Sequence, residues 1–400
     1  MVVSLLILDT GFPPVNVVPP VFDPTLLNNQ YIQVFRRESG RLPRIYNWNL
    51  TIQRQITKDL TVEAAYVGNH GTRLITGNFV NPNQNDFGVL SMGNKLQQQI
   101  NNEADAEALG VSYPYPGFQG TVAQALRPFP QYCCIGDPQA TVGESDYNSL
   151  QVKVNQRLSR GLDYLVAYTL SKNITTVDDA FGWGGAGSTD AKKLSLERAL
   201  ATAGNGPGDR THNLVVAFGY ELPFGQLVTN HAAKGVIGGW KIAGILQYAS
   251  GGALGMGYPN NLGNVLFNNG GRYDIVQGQS HDNHVDNIWP GAAWMFNAGA
   301  FQAPAAYTVG NAARTYGDIR GFPYLNEDLA LSKQIHFTER KHLELRVDAL
   351  NALNRSIWNN PDTSVTDPQI IQGGRAIGFG SFWGRSNVER QLQLQARFTF

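Results

Sequence analysis

The feature that most constrains this chain is an alternation of apolar and polar side chains that recurs along its length. A period of two residues predicts β-strands whose two faces meet different surroundings. Similar segments begin near residues 46, 60, 147, 163, 213, 240, 328 and 342, and a weaker one covers 30–37. The final segment is the clearest, because Leu392, Leu394, Ala396, Phe398 and Phe400 alternate with polar residues. The pattern predicts an all-β protein with about ten strands.

The connections between these segments alternate between short and long. The short ones are Thr57-Lys58-Asp59, Ser159-Arg160-Gly161 and Thr338-Glu339-Arg340, with an intermediate link at 223–237. The long ones are 76–146, 174–210, 251–325 and 353–389. Membrane β-barrels have tight turns on the periplasmic side and long loops outside. Every short link then lies on the same side as the carboxyl terminus, so the sequence predicts an antiparallel transmembrane β-barrel with long extracellular loops.

The composition agrees with a barrel and excludes several other classes. Charged residues make up 16% of the chain, against roughly 25% in soluble domains. No stretch approaches the ~20 apolar residues that a spanning helix needs. The formal net charge is zero, so nothing indicates a nucleic-acid partner. A soluble all-β binding module remains the alternative, because its sheets also alternate. Links as long as 76–146 and 251–325 are, however, unusual in a compact soluble domain.

Six segments, in order along the chain, resemble the carboxyl-terminal barrel of TonB-dependent outer-membrane receptors. They are RIYNWNLTIQRQITKDLTVEAAYVGNHGTRL, YNSLQVKVNQRLSRGLDYLVAYTLSKN, DRTHNLVVAFGYELPFG, GGWKIAGILQYASG, NEDLALSKQIHFTERKHLELRVDALNALNRSIWNNP and RQLQLQARFTF. The branch that they resemble is that of the large receptors, whose members often carry an amino-terminal carboxypeptidase-regulatory-like domain. Such receptors are plugged barrels of about 22 strands. The resemblance implies an outer-membrane location and uptake of an unidentified nutrient, driven by the TonB complex.

The chain departs from that pattern at its amino-terminal side. About ten strands make roughly half of such a barrel. No plug-like or TonB-box-like segment precedes residue 44, and the apolar run Val2–Leu8 is a poor signal peptide because no Lys or Arg precedes it. We therefore expect 1–29 to be an irregular segment and 30–400 to be the carboxyl-terminal part of a receptor barrel. The TonB complex is then a partner only if a plug and TonB box lie upstream. The alternative is a stand-alone small outer-membrane channel or structural barrel.

The carboxyl-terminal strand carries the most specific functional prediction. Outer-membrane barrels resemble one another in ending on an aromatic residue, usually Phe, after an alternating strand. In such barrels the assembly machinery is expected to recognise that strand through backbone pairing at its edge. We predict that Leu392, Leu394, Phe398 and Phe400 form this assembly signal and face the lipid of the outer membrane.

Aromatic side chains cluster near the predicted strand ends. Membrane barrels place such rings at both membrane interfaces, where an apolar ring body meets a polar edge. Tyr164, Tyr168, Trp240 and Tyr248 are the candidate interface aromatics. The alternative is that these rings only stabilise the sheet, as they would in any β protein.

Two polar clusters have ordinary interpretations. Imidazole and carboxylate groups suit Zn or Ni, so His281-Asp282-Asn283-His284 with Asp286 could suggest a metal site. A solvated polar loop is the favoured interpretation. Asp209-Arg210-Thr211-His212 opens a predicted strand, and we interpret it as a charge pair at the external rim.

The remaining candidates give no catalytic or cofactor signal. The glycines around Trp183 lack the strand, helix and Lys-Ser/Thr pair of a phosphate loop. The adjacent Cys133 and Cys134 are expected to be two thiols or a strained bridge in a loop, because neighbouring cysteines rarely pair. No catalytic motif occurs at a useful spacing. The sequence therefore predicts a protein that is not an enzyme and has no cofactor or metal.

Overall fold

The computed structural model describes residues 30–76, 81–177, 198–202, 208–226, 235–258, 262–266, 272–285, 289–338 and 341–400. The predicted segment 1–29 and the glycines around Trp183 lie outside these residues. Nine long strands form one antiparallel sheet in which each pairs with the next along the chain. They are β1 (Arg44–Gln55), β2 (Leu60–Leu74), β3 (Gly143–Ser159), β4 (Leu162–Thr175), β5 (His212–Glu221), β6 (Trp240–Ala249), β7 (Tyr324–His336), β8 (His342–Leu350) and β9 (Gln391–Thr399). All nine coincide with alternating segments of the sequence.

The prediction that 30–37 forms a weak strand of this sheet was wrong. Gln30–Gln33 is only four residues long and pairs in parallel with Tyr132–Gly136 of the first long loop. A strand needs about 9–11 residues to cross a bilayer, so this one is too short. The tenth strand of the sheet is instead Ala199–Leu200, two residues that extend the end of β4. In the described part of the chain, nine strands are long enough to cross a bilayer, rather than about ten.

The sheet is open in the described part of the chain. No described strand pairs with the outer edge of β1 or of β9. Because nine strands alternate in direction, β1 and β9 run parallel to each other. Direct pairing of these two edges would therefore break the antiparallel pattern of the sheet.

The strands are staggered in the way that a barrel requires. One row of register partners runs through Ile52, Ala64, Val152, Tyr168, Leu214, Tyr248 and Leu325. Ile52 lies three residues before Gln55, where β1 ends, whereas Leu325 lies eleven residues before His336, where β7 ends. The row therefore climbs from one end of the strands to the other. A sheet with this shear has tilted strands and can curl.

Short and long connections fall at opposite ends of the sheet, here called the turn end and the loop end. At the turn end, β3 and β4 are joined through Arg160 (φ 53°) and Gly161 (φ 83°), the left-handed pair that suits a two-residue hairpin. The link from β5 to β6 contains the 3₁₀ turn Pro223–Gln226. Glu339 and Arg340, in the predicted turn from β7 to β8, lie outside the described residues.

The long loops fold together into a structure at the loop end, here called the cap (described residues within 75–142, 250–323 and 351–390). Its short elements are Phe87–Gln97, Gln99–Ile100, Glu103–Ala108, Gly120–Thr121, Val122–Ala125, Tyr132–Gly136, Ala253–Gly255, Gly263–Leu266, Asp274–Ile275, Ala298–Ala300, Phe301–Gln302, Thr315–Arg320, Ile370–Gln372 and Arg375–Ile377. One hydrophobic core joins Phe118 to Leu266, and a second contains Phe301, Ile319 and Phe379. Residues from different loops share each core, so the loops stabilise one another.

The hydrophobic core of the molecule lies in the cap and not on the sheet. Ala65 and Leu74 are the only buried hydrophobic residues in the described parts of the nine strands. A soluble sheet would bury its apolar face against another layer. This one leaves it open, and Leu394 is 79% exposed. No helix in the described part of the chain is long and apolar enough to cross a membrane.

Candidate functional site

One face of the sheet is a wide apolar surface. The strand register places Leu50 opposite Tyr66 and Tyr66 opposite Leu150. The same face continues toward the β9 edge of the sheet. There its exposed apolar side chains are Leu331, Leu345, Val347, Leu392, Leu394 and Phe398. Water-soluble proteins rarely expose a contiguous apolar patch that runs across a whole sheet. This face has the chemistry of a lipid-contacting surface.

The opposite face carries the charged side chains of the strands and borders an open pocket of about 650 Å³, whose lining also includes the apolar Leu165, Ala217 and Ile245. Its lining includes Asp163, Asp328, Arg346, Asp348 and Gln393, which occupy the alternate positions of their strands. Arg346 donates from Nε to the Asp348 carboxylate at 2.8 Å. Charged groups therefore line the side of the sheet away from the apolar face, as in a water-filled barrel lumen.

The predicted assembly residues lie on the open-edge strand β9. Leu392, Leu394 and Phe398 lie opposite Ala349, Val347 and Leu343 of β8. The Phe398 ring lies 6.1 Å from Phe337 and 6.3 Å from Phe400. Phe400 is 90% exposed. The four predicted side chains therefore share the apolar face, beside backbone groups that no described strand pairs.

The predicted interface aromatics separate toward the two ends of the same face. Trp240 begins β6 at the turn end, and Tyr164 lies two residues into β4 from that end. Toward the loop end, the Tyr168 hydroxyl lies 2.7 Å from Nδ1 of His212. The Tyr248 hydroxyl donates to Glu327 Oε1 at 3.0 Å. Each of these two hydroxyls meets a polar partner at the edge of the apolar surface.

Sequence reasoning missed the role of Lys333. It occupies a position of the apolar set in β7, between Leu331 and Ile335, yet its side chain is buried. Its Nζ donates to the carbonyls of Gly235 (3.0 Å), Val236 (2.8 Å) and Gly238 at the turn end, and it lies 5.4 Å from the Trp240 ring centroid. The signal in the sequence was a single lysine interrupting an apolar run.

The rim at the loop end is held by ion pairs between strand ends and the cap. Asp209 pairs with Arg320 at 2.7 Å, whereas Arg210 donates to the Ser250 carbonyl. The predicted rim charge pair therefore uses a partner from the cap instead of the neighbouring arginine. The sequence could not show this, because the partner is more than one hundred residues away.

The histidines considered as metal ligands have other partners in the cap. Nδ1 of His281 lies 2.9 Å from the Asp318 carboxylate, and its ring packs 4.4 Å from that of Tyr316. His284 lies 2.9 Å from Asp282, and Asp286 is outside the described residues. Within the described ranges, no three His, Cys, Asp or Glu side chains form a group that could hold a metal ion.

A family comparison decides what kind of protein has this geometry. The model of the family described as "Outer membrane beta barrel domain" matches residues 3–393. The chain belongs to this outer-membrane β-barrel family. The apolar face is therefore the lipid-facing surface of an outer-membrane protein, and the predicted fold class and location are confirmed. No curated protein matches the chain.

Solved structures similar to this chain include outer-membrane transporters and receptors. The outer membrane transporter YddB from Escherichia coli is 11% identical over 93% of this chain and 34% of its own, with a TM-score of 0.36. The pyoverdine outer membrane receptor FpvA from Pseudomonas aeruginosa PAO1 is 10% identical over 92% and 31%, with a TM-score of 0.37. The ferric yersiniabactin uptake receptor FyuA from Yersinia pestis is 11% identical over 90% and 30%, with a TM-score of 0.34. The chain spans about a third of the length of these structures.

Proposed function

We propose that this chain forms part of the wall of an outer-membrane uptake receptor for an unidentified substrate, energised through TonB. The observation that carries the proposal is the polar lumen face under a cap folded from the long loops. Passive channels need an open path, whereas a receptor needs ordered external loops that bind its ligand before passage. Here the loops carry the hydrophobic cores of the molecule. A transport role follows, in place of a catalytic one.

The open edges support a wall that other strands complete. Each unpaired backbone group in hydrocarbon costs several kcal/mol, so a membrane sheet must close. Bacterial single-chain barrels have even strand numbers and antiparallel neighbours throughout. Because β1 and β9 run parallel, we propose that an odd number of further strands lies between them in the closed barrel. In a stand-alone small barrel made of the nine described strands alone, β1 would have to pair directly with β9 in parallel.

The same proposal assigns partners to the outer surface. Leu392, Leu394, Phe398 and Phe400 form the assembly signal, and the barrel-assembly machinery pairs with the free edge of β9. Trp240 and Tyr164 lie at one lipid interface, and Tyr168 and Tyr248 lie toward the other. The TonB complex is a partner only of a barrel that has a plug and a TonB box.

Conductance and solute flux distinguish an uptake receptor from a passive channel. The protein is purified from outer membranes and reconstituted in liposomes containing a small sugar. Liposomes that contain a closed receptor should release the sugar no faster than protein-free liposomes, because a plug fills the lumen of such a receptor. Steady sugar flux proportional to the protein concentration would favour the stand-alone channel and overturn the receptor proposal. A matched sample heated until the barrel unfolds controls for leakage caused by damaged lipid.

A further inference from the structure

Cys133 and Cys134 lie in a β-bulge of the cap. Gln30 is the register partner of Tyr132, and Tyr31 is the partner of Cys134, so Cys133 is the extra residue. In a regular strand, adjacent side chains point to opposite faces. A bulge places two residues against one and redirects their side chains. The two Sγ atoms consequently lie 2.6 Å apart, although they belong to neighbouring residues.

The backbone beside this bulge is held by several donors. The Tyr132 carbonyl accepts hydrogen bonds from Nδ2 of Asn83 (2.9 Å), Nε2 of Gln124 (2.8 Å) and Nη1 of Arg127 (2.8 Å). On the other side of the cysteines, the Asp137 side chain is fully buried and accepts from Nε of Arg36 at 2.8 Å. These contacts fix both flanks of the cysteine pair, so the two thiols stay close together.

We propose that Cys133 and Cys134 are a modification site that closes to a vicinal disulfide in the mature protein. The outer membrane lies outside the reducing cytosol, and disulfides persist in oxidising compartments of this kind. The oxidant is the disulfide of a periplasmic thiol–disulfide exchange protein. One cysteine thiolate attacks that disulfide and forms a mixed disulfide, which releases one oxidant thiolate. The second cysteine thiolate displaces the remaining oxidant sulfur. The pair loses two electrons and two protons, and the oxidant leaves as a dithiol.

Closure of this ring requires an unusual backbone, and the bulge supplies it. Ordinary disulfides join Cα atoms about 4.4–6.8 Å apart, whereas neighbouring Cα atoms are only about 3.8 Å apart. The peptide between the cysteines must therefore adjust. Cys133, the extra residue of the bulge, has no register partner in Gln30–Gln33, so it can adjust while Cys134 stays opposite Tyr31.

Thiol mapping tests the site. The protein is extracted from outer membranes without reductant, alkylated with iodoacetamide, digested and analysed by mass spectrometry. The peptide containing both cysteines is expected to be unalkylated and lighter than the dithiol peptide by the mass of two hydrogen atoms. Prior reduction should make both residues alkylate. These are the only cysteines of the chain, so no other bond within it competes.

Two outcomes would overturn the proposal. One is full alkylation of both cysteines before reduction. The other is a disulfide-linked dimer on a non-reducing gel, which would show that the thiols pair between molecules. The Cys134→Ser variant is the matched control, because its remaining Cys133 should alkylate without reductant. If Cys133 of that variant stays unalkylated, missing label in the parent protein reflects poor access, and the proposal fails.

Discussion

The Nε atom of Arg355 lies 2.8 and 3.1 Å from the two carboxylate oxygens of Glu327. Glu327 belongs to β7, near the loop end, and its side chain is only 3% exposed. Arg355 belongs to the last long loop, which also supplies Phe379 to a core of the cap. The Tyr248 hydroxyl of β6 donates to the same carboxylate. This pair therefore joins two strands of the barrel wall to the cap.

Replacing Glu327 should loosen that junction. Glu327→Gln keeps the shape but removes the charge, and we expect the cap to lose about 1–2 kcal/mol of local stability. The measurement is the rate of limited trypsin cleavage within 353–389 on the folded protein. Glu389→Gln is the control, because Glu389 is 78% exposed and its pair with Arg385 contributes little. Equal cleavage rates in the two variants would show that the Glu327 pair does not hold the cap.

The hydrogen bonds of Lys333 at the turn end should stabilise the barrel against heat. Lys333→Met preserves most of the side-chain length but leaves the carbonyls of Gly235, Val236 and Gly238 without this donor. An unsatisfied buried polar group costs about 1–3 kcal/mol, so the detergent-solubilised barrel should unfold at a lower temperature. The measurement is the loss of folded gel mobility on heating. The exposed Lys341→Met should leave the transition unchanged, and an unchanged transition in Lys333→Met would contradict the capping role.

The stability of the cap near Gln30–Gln33 should depend on pH through the carboxyl group of Asp137. Burial favours its neutral acid, but hydrogen bonds from Arg36, Ser39 and the Gln139 amide outweigh burial and lower its pKa. The stabilisation is therefore full above the unfolded carboxyl value of about 4 and is lost as pH falls through the lower folded pKa. We expect amide protection of Gln30–Gln33 to decrease in that acidic range. Asp137→Asn should be less protected near neutral pH and should lose this pH dependence. A parent protein whose protection depends on pH no more than that of Asp137→Asn would contradict the assignment.

The membrane strands were predictable from the sequence because each one obeys a local rule. The alternation of β9 and the two-residue turn at Arg160-Gly161 depend on neighbouring residues alone. Gln30–Gln33 was predicted incorrectly because its partner, Tyr132–Gly136, comes from a distant loop. A short alternating segment does not indicate which sheet it joins. The prediction was about ten crossing strands, whereas the described residues contain nine. With nine strands, the last described strand runs parallel to the first.

The cap was beyond prediction for a related reason. Its cores bring Phe118 to Leu266 and Phe301 to Phe379, across long separations and without a repeating pattern. Lys333 and Glu327 were missed because each lies at a position of the apolar set and finds its polar partners through the fold. The sequence showed them as exceptions to the alternation but gave no partner.

Deletion of Phe400, at the end of the terminal strand, should impair assembly of the barrel in the outer membrane. Deletion of Phe400 removes a ring that is 90% exposed and whose centroid lies 6.3 Å from that of Phe398. We expect much less folded protein in outer membranes, because the assembly machinery loses part of its recognition strand, while protein refolded in detergent keeps its stability. Phe35→Ala removes another exposed ring outside the barrel and should insert normally. Normal insertion of the Phe400-deleted protein would refute the assembly signal.

The central claim is that alternate residues of one strand face lipid and lumen. Val216 and Ala217 of β5 test it, because both are close to cysteine in size and only Ala217 lines the lumen cavity. Val216→Cys and Ala217→Cys are each made with Cys133 and Cys134 replaced by Ser, and the outer membranes are treated with a small water-soluble thiol reagent. We predict labelling of Ala217→Cys but not of Val216→Cys, which only a lipid-soluble maleimide should label. Equal labelling of both variants by the water-soluble reagent, or the reverse preference, would contradict the barrel wall described for this chain.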